Sequence, residues 1–128
     1  MTLDVMMRTV WCTASFDAYH RWPEAGQHAP GRGYLESFHR HRFGVKASVT
    51  VRHDDREVEF HDVADLVSQW CALRHLEDQG RRSCEDLAKE LAEVLSKRWP
   101  GRRYRVTVDE DGSVGATLTF MDTAARRS

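Results

Sequence analysis

The chain has 128 residues, of which 41% are hydrophobic and 30% are charged, so its size and composition predict one globular domain with a modest core. A formal net charge of -1 gives no general attraction for nucleic acid, and no apolar stretch is long enough to cross a membrane. We therefore expect neither nucleic acid nor a membrane as a partner. The first ten residues lack the pattern of a signal peptide, which favours a cytoplasmic protein.

The first half of the sequence predicts two strands joined by a loop. Apolar and polar residues alternate in the second half of 3–20, which indicates a strand with one buried face. Glycines and prolines in 21–38 predict an irregular loop. The alternation from His39 to Arg52 is the clearest in the chain and predicts a half-buried antiparallel strand. One face carries Val45, Ala47, Val49 and Val51, and the other carries Lys46, Ser48, Thr50 and Arg52.

Two helices are predicted next. The short segment 57–60 is expected to resume the sheet. A helix then begins at Asp62, because apolar residues follow at helical spacing, and Gly80 is expected to end it. Ser83 is a predicted cap of a second helix, with Asp86 at the capping-box position.

The last part of the chain predicts a hairpin. Alternating runs at 104–109 and 114–120 flank the sequence 109–112, which contains the turn pair Asp-Gly. The element order is therefore ββααββ, and two helices covering one face of a four-stranded antiparallel sheet make an α+β domain. We expect this single domain to span residues 1–122 and the tail 123–128 to be frayed.

Three histidines are candidate metal ligands. His39 and His41 lie one residue apart on a strand, so their side chains share a face, with Cα atoms about 6.5–7 Å apart. Two surface histidines would give the same pattern, so the third residue matters. If the first two strands pair in antiparallel fashion, His20 lies at the same sheet end and completes the three-histidine set of a catalytic zinc. We therefore predict that His20, His39 and His41 bind Zn²⁺.

Five short motifs occur in a particular order along the chain, and this order identifies a family more specifically than any single motif does. The ordered set resembles the family of 6-pyruvoyltetrahydropterin synthase and 6-carboxytetrahydropterin synthase over residues 10–120. The resemblance implies the tunnelling fold, in which ββααββ subunits close into an oligomeric barrel. It implies zinc bound by the same three histidines and a homo-oligomer, most often a hexamer. The motifs are Ser15-Phe16-Asp17-Ala18-Tyr19-His20, His39-Arg40-His41, Val58-Glu59-Phe60, Ser83-Cys84-Glu85-Asp86-Leu87-Ala88 and Val106-Thr107-Val108-Asp109-Glu110.

The resemblance also implies residues that bind the substrate. Glu110 matches the glutamate that anchors the amidine edge of the pterin ring, and one carboxylate can accept two parallel N–H bonds from that edge. An ordinary turn carboxylate is the alternative for Glu110. Ser83 and Cys84 match the helix start that lies near the bound ring, and Ser83 is expected to cap the helix as well.

The candidate catalytic residues depart from the commonest family pattern. Leu35 stands where many members have a catalytic cysteine, so the chain resembles the branch with the sequence Glu-x-x-His-x-His, in which Glu36 is the base. Arg40 replaces a glycine between the two histidines. The family's Asp-His couple matches Arg74-His75, so His75 is a candidate acid or base without its usual carboxylate partner.

The activity implied by the resemblance is that of a zinc-dependent lyase. The substrate would be 7,8-dihydroneopterin triphosphate or a related dihydropterin. Elimination or cleavage of its side chain would give a 6-pyruvoyl-, 6-carboxy- or 6-hydroxymethyl-pterin, in folate or deazapurine biosynthesis. Two alternatives stay open: a family member repurposed for another fused heterocycle, and a non-catalytic module that binds a pterin or a purine.

Overall fold

A computed structural model describes residues 1–123, so the tail expected to fray lies outside the described residues from position 124 onward. The described part forms one four-stranded antiparallel sheet with strand order β1-β2-β3-β4, and the two long helices lie between β2 and β3 in the sequence. The strands are β1 Arg8–His20, β2 His39–Val51, β3 Arg103–Glu110 and β4 Val114–Met121. The helices are α1 Ala25–His28, a 3-10 helix Gly33–Glu36, α2 Phe60–Arg74 and α3 Cys84–Arg98.

The predicted ββααββ order and α+β class are confirmed. Helix α2 packs on β1, and α3 packs on β3 and β4. The covered sheet face supplies the core because alternate strand residues point into it, as the fully buried Ala47, Val49 and Val106 show. The opposite face is polar and open, with Lys46 exposed and Thr50 half-buried. Within residues 1–123 no helix is both long and apolar enough to cross a membrane.

The register of the strands brings distant residues to one end of the sheet. His20 pairs with His39 and Ala18 with His41, which confirms that the first two strands are antiparallel neighbours. Phe43 pairs with Glu110, so the end of β3 meets the same region. The position of these residues at one end of the sheet therefore depends on the register of the two strand pairs.

The start of α3 agrees with its sequence. The Asp86 backbone N–H donates to Ser83 Oγ and the Ser83 backbone N–H donates to the Asp86 carboxylate, both at 3.1 Å, which makes a capping box. The acidic first turn and the basic last turn also suit the helix dipole. These local interactions position Cys84, the first residue of α3, at a defined place.

Several predicted boundaries are wrong. β1 begins at Arg8, ahead of the second half of 3–20 in which the alternation indicates a strand, and the loop 21–38 contains two short helical turns. The segment 57–60 is not a strand: α2 begins at Phe60, with Glu59 rather than Asp62 as its N-terminal cap. The Glu59 carboxylate accepts a hydrogen bond from the backbone N–H of His61, the second helical residue. Asp62 is the more usual type of capping residue, and the prediction therefore began the helix there.

The first long helix also ends earlier than predicted, at Arg74 rather than near Gly80. The chain beyond it runs beside the end of β1: the Leu76 N–H donates to the Asp17 carbonyl at 2.6 Å, and the Gln79 N–H donates to the Tyr19 carbonyl at 2.8 Å. These bonds replace helical ones, so the helix ends where its backbone finds partners on the sheet. The result is that the segment before α3 lies next to the end of β1.

Candidate metal centre and adjoining cavity

Three histidine side chains meet at the end of the sheet formed by β1 and β2. We call His20, His39 and His41 the histidine cluster. Their ring centroids lie 4.6 to 5.3 Å apart, and one ring nitrogen from each lies within 4.8 Å of the others. His20 is 7% exposed, and the other two are half-buried. The predicted convergence is therefore present in a single chain.

Each member of the histidine cluster uses Nδ1 in a hydrogen bond to an oxygen that can only accept. Nδ1 must therefore carry the hydrogen, which leaves Nε2 as the free lone pair in the neutral ring. Such outer bonds typically fix the tautomer and ring orientation of metal-binding histidines. The acceptors are the Arg82 carbonyl for His20 at 3.0 Å, the Ser37 carbonyl for His39 at 2.9 Å, and the Asp111 carboxylate for His41 at 2.7 Å.

The free nitrogens fit a metal ion. The Nε2 atoms of His20 and His41 are buried, and within the described residues neither has a hydrogen-bond partner. A buried polar atom without a partner costs about 1–3 kcal/mol, and a bound cation would remove that cost. Three neutral imidazoles form a donor set suited to zinc and its neighbours among the transition metals. The histidine cluster can therefore hold a metal ion.

Glu110 lies directly against the histidine cluster. Its two oxygens are 3.3 Å from His20 Nε2 and 3.4 Å from His41 Nε2, distances that suit an ion pair, although neither contact is aligned as a hydrogen bond. Contact with His20 lowers the pKa of Glu110 despite the opposing effect of burial. Burial would lower the pKa of His20, but Glu110 and the Arg82 carbonyl together raise it. The resemblance implies a ring-binding role for Glu110, and the structure brings its carboxylate to the nitrogens that are candidate metal ligands.

A cavity of about 530 Å³ opens beside the histidine cluster. It has room for a small fused ring. Ser83 and Cys84 line it together with Glu110, so the three predicted substrate-binding residues share one cavity with His20 and His39. Burial, reinforced by nearby carboxylates, raises the pKa of the Cys84 thiol to about 12, so this thiol stays neutral. Its sulfur lies 4.0 Å from a Glu110 oxygen.

An ion-pair network supports the cavity wall. The Arg82 side chain donates to Glu90 on α3 at 2.7 Å, and Arg74 at the end of α2 donates to the same carboxylate at 3.3 Å. The Arg74 guanidinium also stacks on Trp70, 3.8 Å from the ring centroid. Arg74 therefore joins α2 to α3 and to the segment whose carbonyl orients His20. This explains what an arginine does where the resemblance implies an aspartate.

The two candidate catalytic residues lie outside this cavity wall. The Glu36 carboxylate accepts a hydrogen bond from the Gly26 N–H at 2.9 Å, although its neighbour Leu35 lines the cavity. His75 lies beside β1, where its Nδ1 accepts a hydrogen bond from the Asp17 N–H at 3.2 Å. His75 borders a different, shallow groove. One chain alone thus brings together the metal-binding and ring-binding candidates but not Glu36 and His75.

Asp111 is a site residue that sequence reasoning missed. The sequence indicates only a hairpin turn at Asp111, and its φ of 58° is indeed left-handed. Its carboxylate also accepts hydrogen bonds from His41 Nδ1 at 2.7 Å and from the Arg42 N–H at 2.9 Å. The bond from Arg42 and the one from His41 lower the pKa of Asp111. In the sequence Asp111 directly follows Glu110, the candidate ring anchor. That position could have indicated a site residue, but only if the register of β2 and β3 had been known.

A second concavity, of about 490 Å³, lies on the polar face of the sheet and is lined by residues such as Trp11, Lys46 and Arg105. It holds no member of the histidine cluster. The cavity at the cluster is the better candidate for chemistry because orphaned imidazole nitrogens and a carboxylate converge beside it.

No family model matches the sequence, and no curated protein matches it either. Solved structures do match. The 6-pyruvoyl tetrahydropterin synthase of Caenorhabditis elegans is similar with a TM-score of 0.68 and 15% identity, over 95% of this chain and 100% of that one. The chain has the tunnelling fold of the 6-pyruvoyl tetrahydropterin synthases. The Plasmodium falciparum 6-pyruvoyl tetrahydropterin synthase is similar at TM-score 0.68 and 12% identity, over 90% of this chain and 98% of that one.

A further structure with this tunnelling fold is a Plasmodium vivax 6-pyruvoyltetrahydropterin synthase in which a catalytic glutamate is replaced by alanine. Its TM-score is 0.68 and its identity 12%, over 91% of this chain and 99% of that one. Identities this low establish the fold.

Proposed function

We propose that this protein is a zinc-dependent lyase of the pterin-synthase type. It would act on 7,8-dihydroneopterin triphosphate or a related dihydropterin, and would remove or cleave the side chain to give a 6-pyruvoyl-, 6-carboxy- or 6-hydroxymethyl-pterin. The observation that carries the proposal is the convergence of three oriented imidazoles with Glu110 beside a cavity of about 530 Å³. Folate or deazapurine biosynthesis in the cytoplasm is the proposed setting.

The residues of the cavity have distinct proposed tasks. Zinc, when bound by the histidine cluster, would supply Lewis-acid polarisation of the substrate's side-chain oxygens. Glu110 would accept two N–H bonds from the amidine edge of the ring, and its lowered pKa supports an ionised carboxylate. Cys84 would offer a neutral thiol to the same ring edge, since its pKa is about 12. Ser83 would keep the start of α3 in place through its capping bonds.

Glu36 is the proposed proton acceptor. A carboxylate beside the acidified substrate hydroxyl is a suitable general base. The Plasmodium vivax synthase has a catalytic glutamate, which supports a catalytic carboxylate on this fold. Glu36 would have to exchange its bond with the Gly26 N–H for one with the substrate. The substrate hydroxyl must therefore compete with a backbone donor at 2.9 Å.

His75 is proposed to act in the site of a neighbouring subunit. It does not line the cavity of its own chain, and β1 and β4 each present a sheet edge that another copy could extend. A closed ring of copies, most simply a hexamer of two trimers, would cover these edges. Analytical ultracentrifugation tests this part: we expect a hexamer, and an active monomer would exclude a shared site.

The central experiment measures metal and product together. We expect about one zinc per chain by elemental analysis and a new pterin product from 7,8-dihydroneopterin triphosphate, identified by chromatography and mass spectrometry. A protein that carries zinc but leaves that compound and related dihydropterins unchanged would refute the proposed activity.

A second candidate function is a module that binds the ring without turnover. The observations that favour it are the leucine at position 35 and the engagement of Glu36 with a backbone N–H. Equilibrium binding of a pterin without any product from the same solution would support this alternative over the lyase.

A further inference from the structure

The Glu110 carboxylate faces two imidazole nitrogens at once. One oxygen lies 3.3 Å from His20 Nε2 and the other lies 3.4 Å from His41 Nε2. In the neutral rings both nitrogens present lone pairs, because the hydrogens are on Nδ1. A carboxylate would then place negative charge against two acceptors. Such an arrangement is stable only if a cation, either a proton or a metal ion, lies between them.

The distances allow the metal ion. In a tetrahedral zinc site with bonds of about 2.0–2.1 Å to nitrogen and oxygen, neighbouring ligand atoms lie about 3.3–3.4 Å apart. The two contacts come from different Glu110 oxygens, and each has the length of that edge, so each oxygen lies where a ligand beside one imidazole would lie. The absence of hydrogen-bond alignment at either nitrogen, among the residues described, fits shared coordination better than a pair of hydrogen bonds.

We propose that Glu110 is the fourth ligand of the metal ion held by the histidine cluster when no ring is bound. This inference rests on the proposed function for the presence of the ion. Glu110 would then have two alternative partners, the metal ion in the resting protein and the ring in the complex. A coordination position on the metal ion would become free only when Glu110 leaves the ion to bind the ring. In the resting protein the ion would therefore be closed to other ligands.

The first test is metal affinity, measured by competition with a chelator for Zn²⁺ in the absence of any pterin. Glu110→Gln should bind zinc at least about 100-fold more weakly than the wild type, which exceeds the roughly 10–100-fold loss typical of an outer-shell partner. Glu85→Gln is the matched control, because Glu85 lines the same cavity and its removal also takes away one negative charge. The control should stay within about threefold of the wild type. Circular dichroism verifies that both variants are folded.

The second test needs no variant. A crystal structure of the zinc-loaded wild type should place a Glu110 oxygen about 2.0–2.2 Å from the ion. A separation beyond about 3 Å would overturn the inference, as would equal zinc affinity in Glu110→Gln and the wild type, because Glu110 would then be only an ion-pair partner of protonated histidine. Equal losses in both variants would also overturn it, since they indicate a general charge effect. If the wild type binds no zinc, the proposed function itself fails.

Discussion

Asp111 is expected to orient His41 for metal binding, and Asp111→Ala tests this directly. The substitution removes the acceptor of His41 Nδ1–H at 2.7 Å and that of the Arg42 backbone N–H at 2.9 Å. His41 then loses the contact that keeps the hydrogen on Nδ1, and Nε2 is the lone pair only part of the time. Asp111 contacts Nδ1 of His41 and not the free Nε2, so its proposed role is positioning.

The size of the effect follows from the exposure of the carboxylate. Loss of an outer-shell partner typically weakens metal affinity by about 10–100-fold, and each factor of ten corresponds to about 1.4 kcal/mol. The Asp111 side chain is 55% exposed, so water can reach the freed Nδ1–H. We therefore expect the lower end of the range, a roughly tenfold loss of zinc affinity.

Chelator competition measures the affinity, and nitrogen-15 NMR of the histidines reports the tautomer of His41. Asp109→Ala is the matched control, because Asp109 accepts the Gly112 N–H in the same turn without contacting His41. The reasoning is refuted if Asp111→Ala binds zinc as tightly as the wild type, or if Asp109→Ala loses as much. In the second case only the integrity of the turn would matter.

Three further predictions use other contacts. His39→Ala should bind the metal much more weakly, because one of the three imidazole donors is removed, and full zinc content by elemental analysis would exclude His39 as a ligand. Glu36→Gln should keep zinc and ring affinity but lower kcat by roughly 100-fold, as expected for removal of a positioned base, and an unchanged kcat would leave Glu36 a loop residue. Glu57→Gln should cost about 2 kcal/mol in urea denaturation at pH 7, because its largely buried carboxylate pairs with Arg102. The pair with Arg102 lowers the pKa of Glu57 in the folded protein. Its contribution to stability is therefore present above about pH 4.3 and is lost as the pH falls through the lower pKa of the folded state. An equal stability difference between variant and wild type at pH 7 and at pH 2.5 would contradict this.

Much of the fold could be predicted from local patterns in the sequence. Alternation over a few residues defined the strands, and the capping box at Ser83 defined the start of α3, because both depend on interactions between residues close in sequence. The spacing of His39 and His41 likewise placed two imidazoles on one face, and the antiparallel pairing of β1 with β2 brought in His20. Glu110 entered only through the resemblance to pterin synthases.

Tertiary structure decided what lies between the elements. The bond of Asp111 to His41 joins residues 70 positions apart, and it exists because β3 pairs with β2 in one register rather than one residue to either side. The contact of Glu110 with the histidine nitrogens has the same origin. The early end of α2 could not be predicted from the sequence either, since no glycine or proline stands between Arg74 and Gly80, whereas the backbone finds its hydrogen-bond partners on β1. Periodicity reports which face a residue occupies, but the partner across that face depends on register and on the path of the connecting chain.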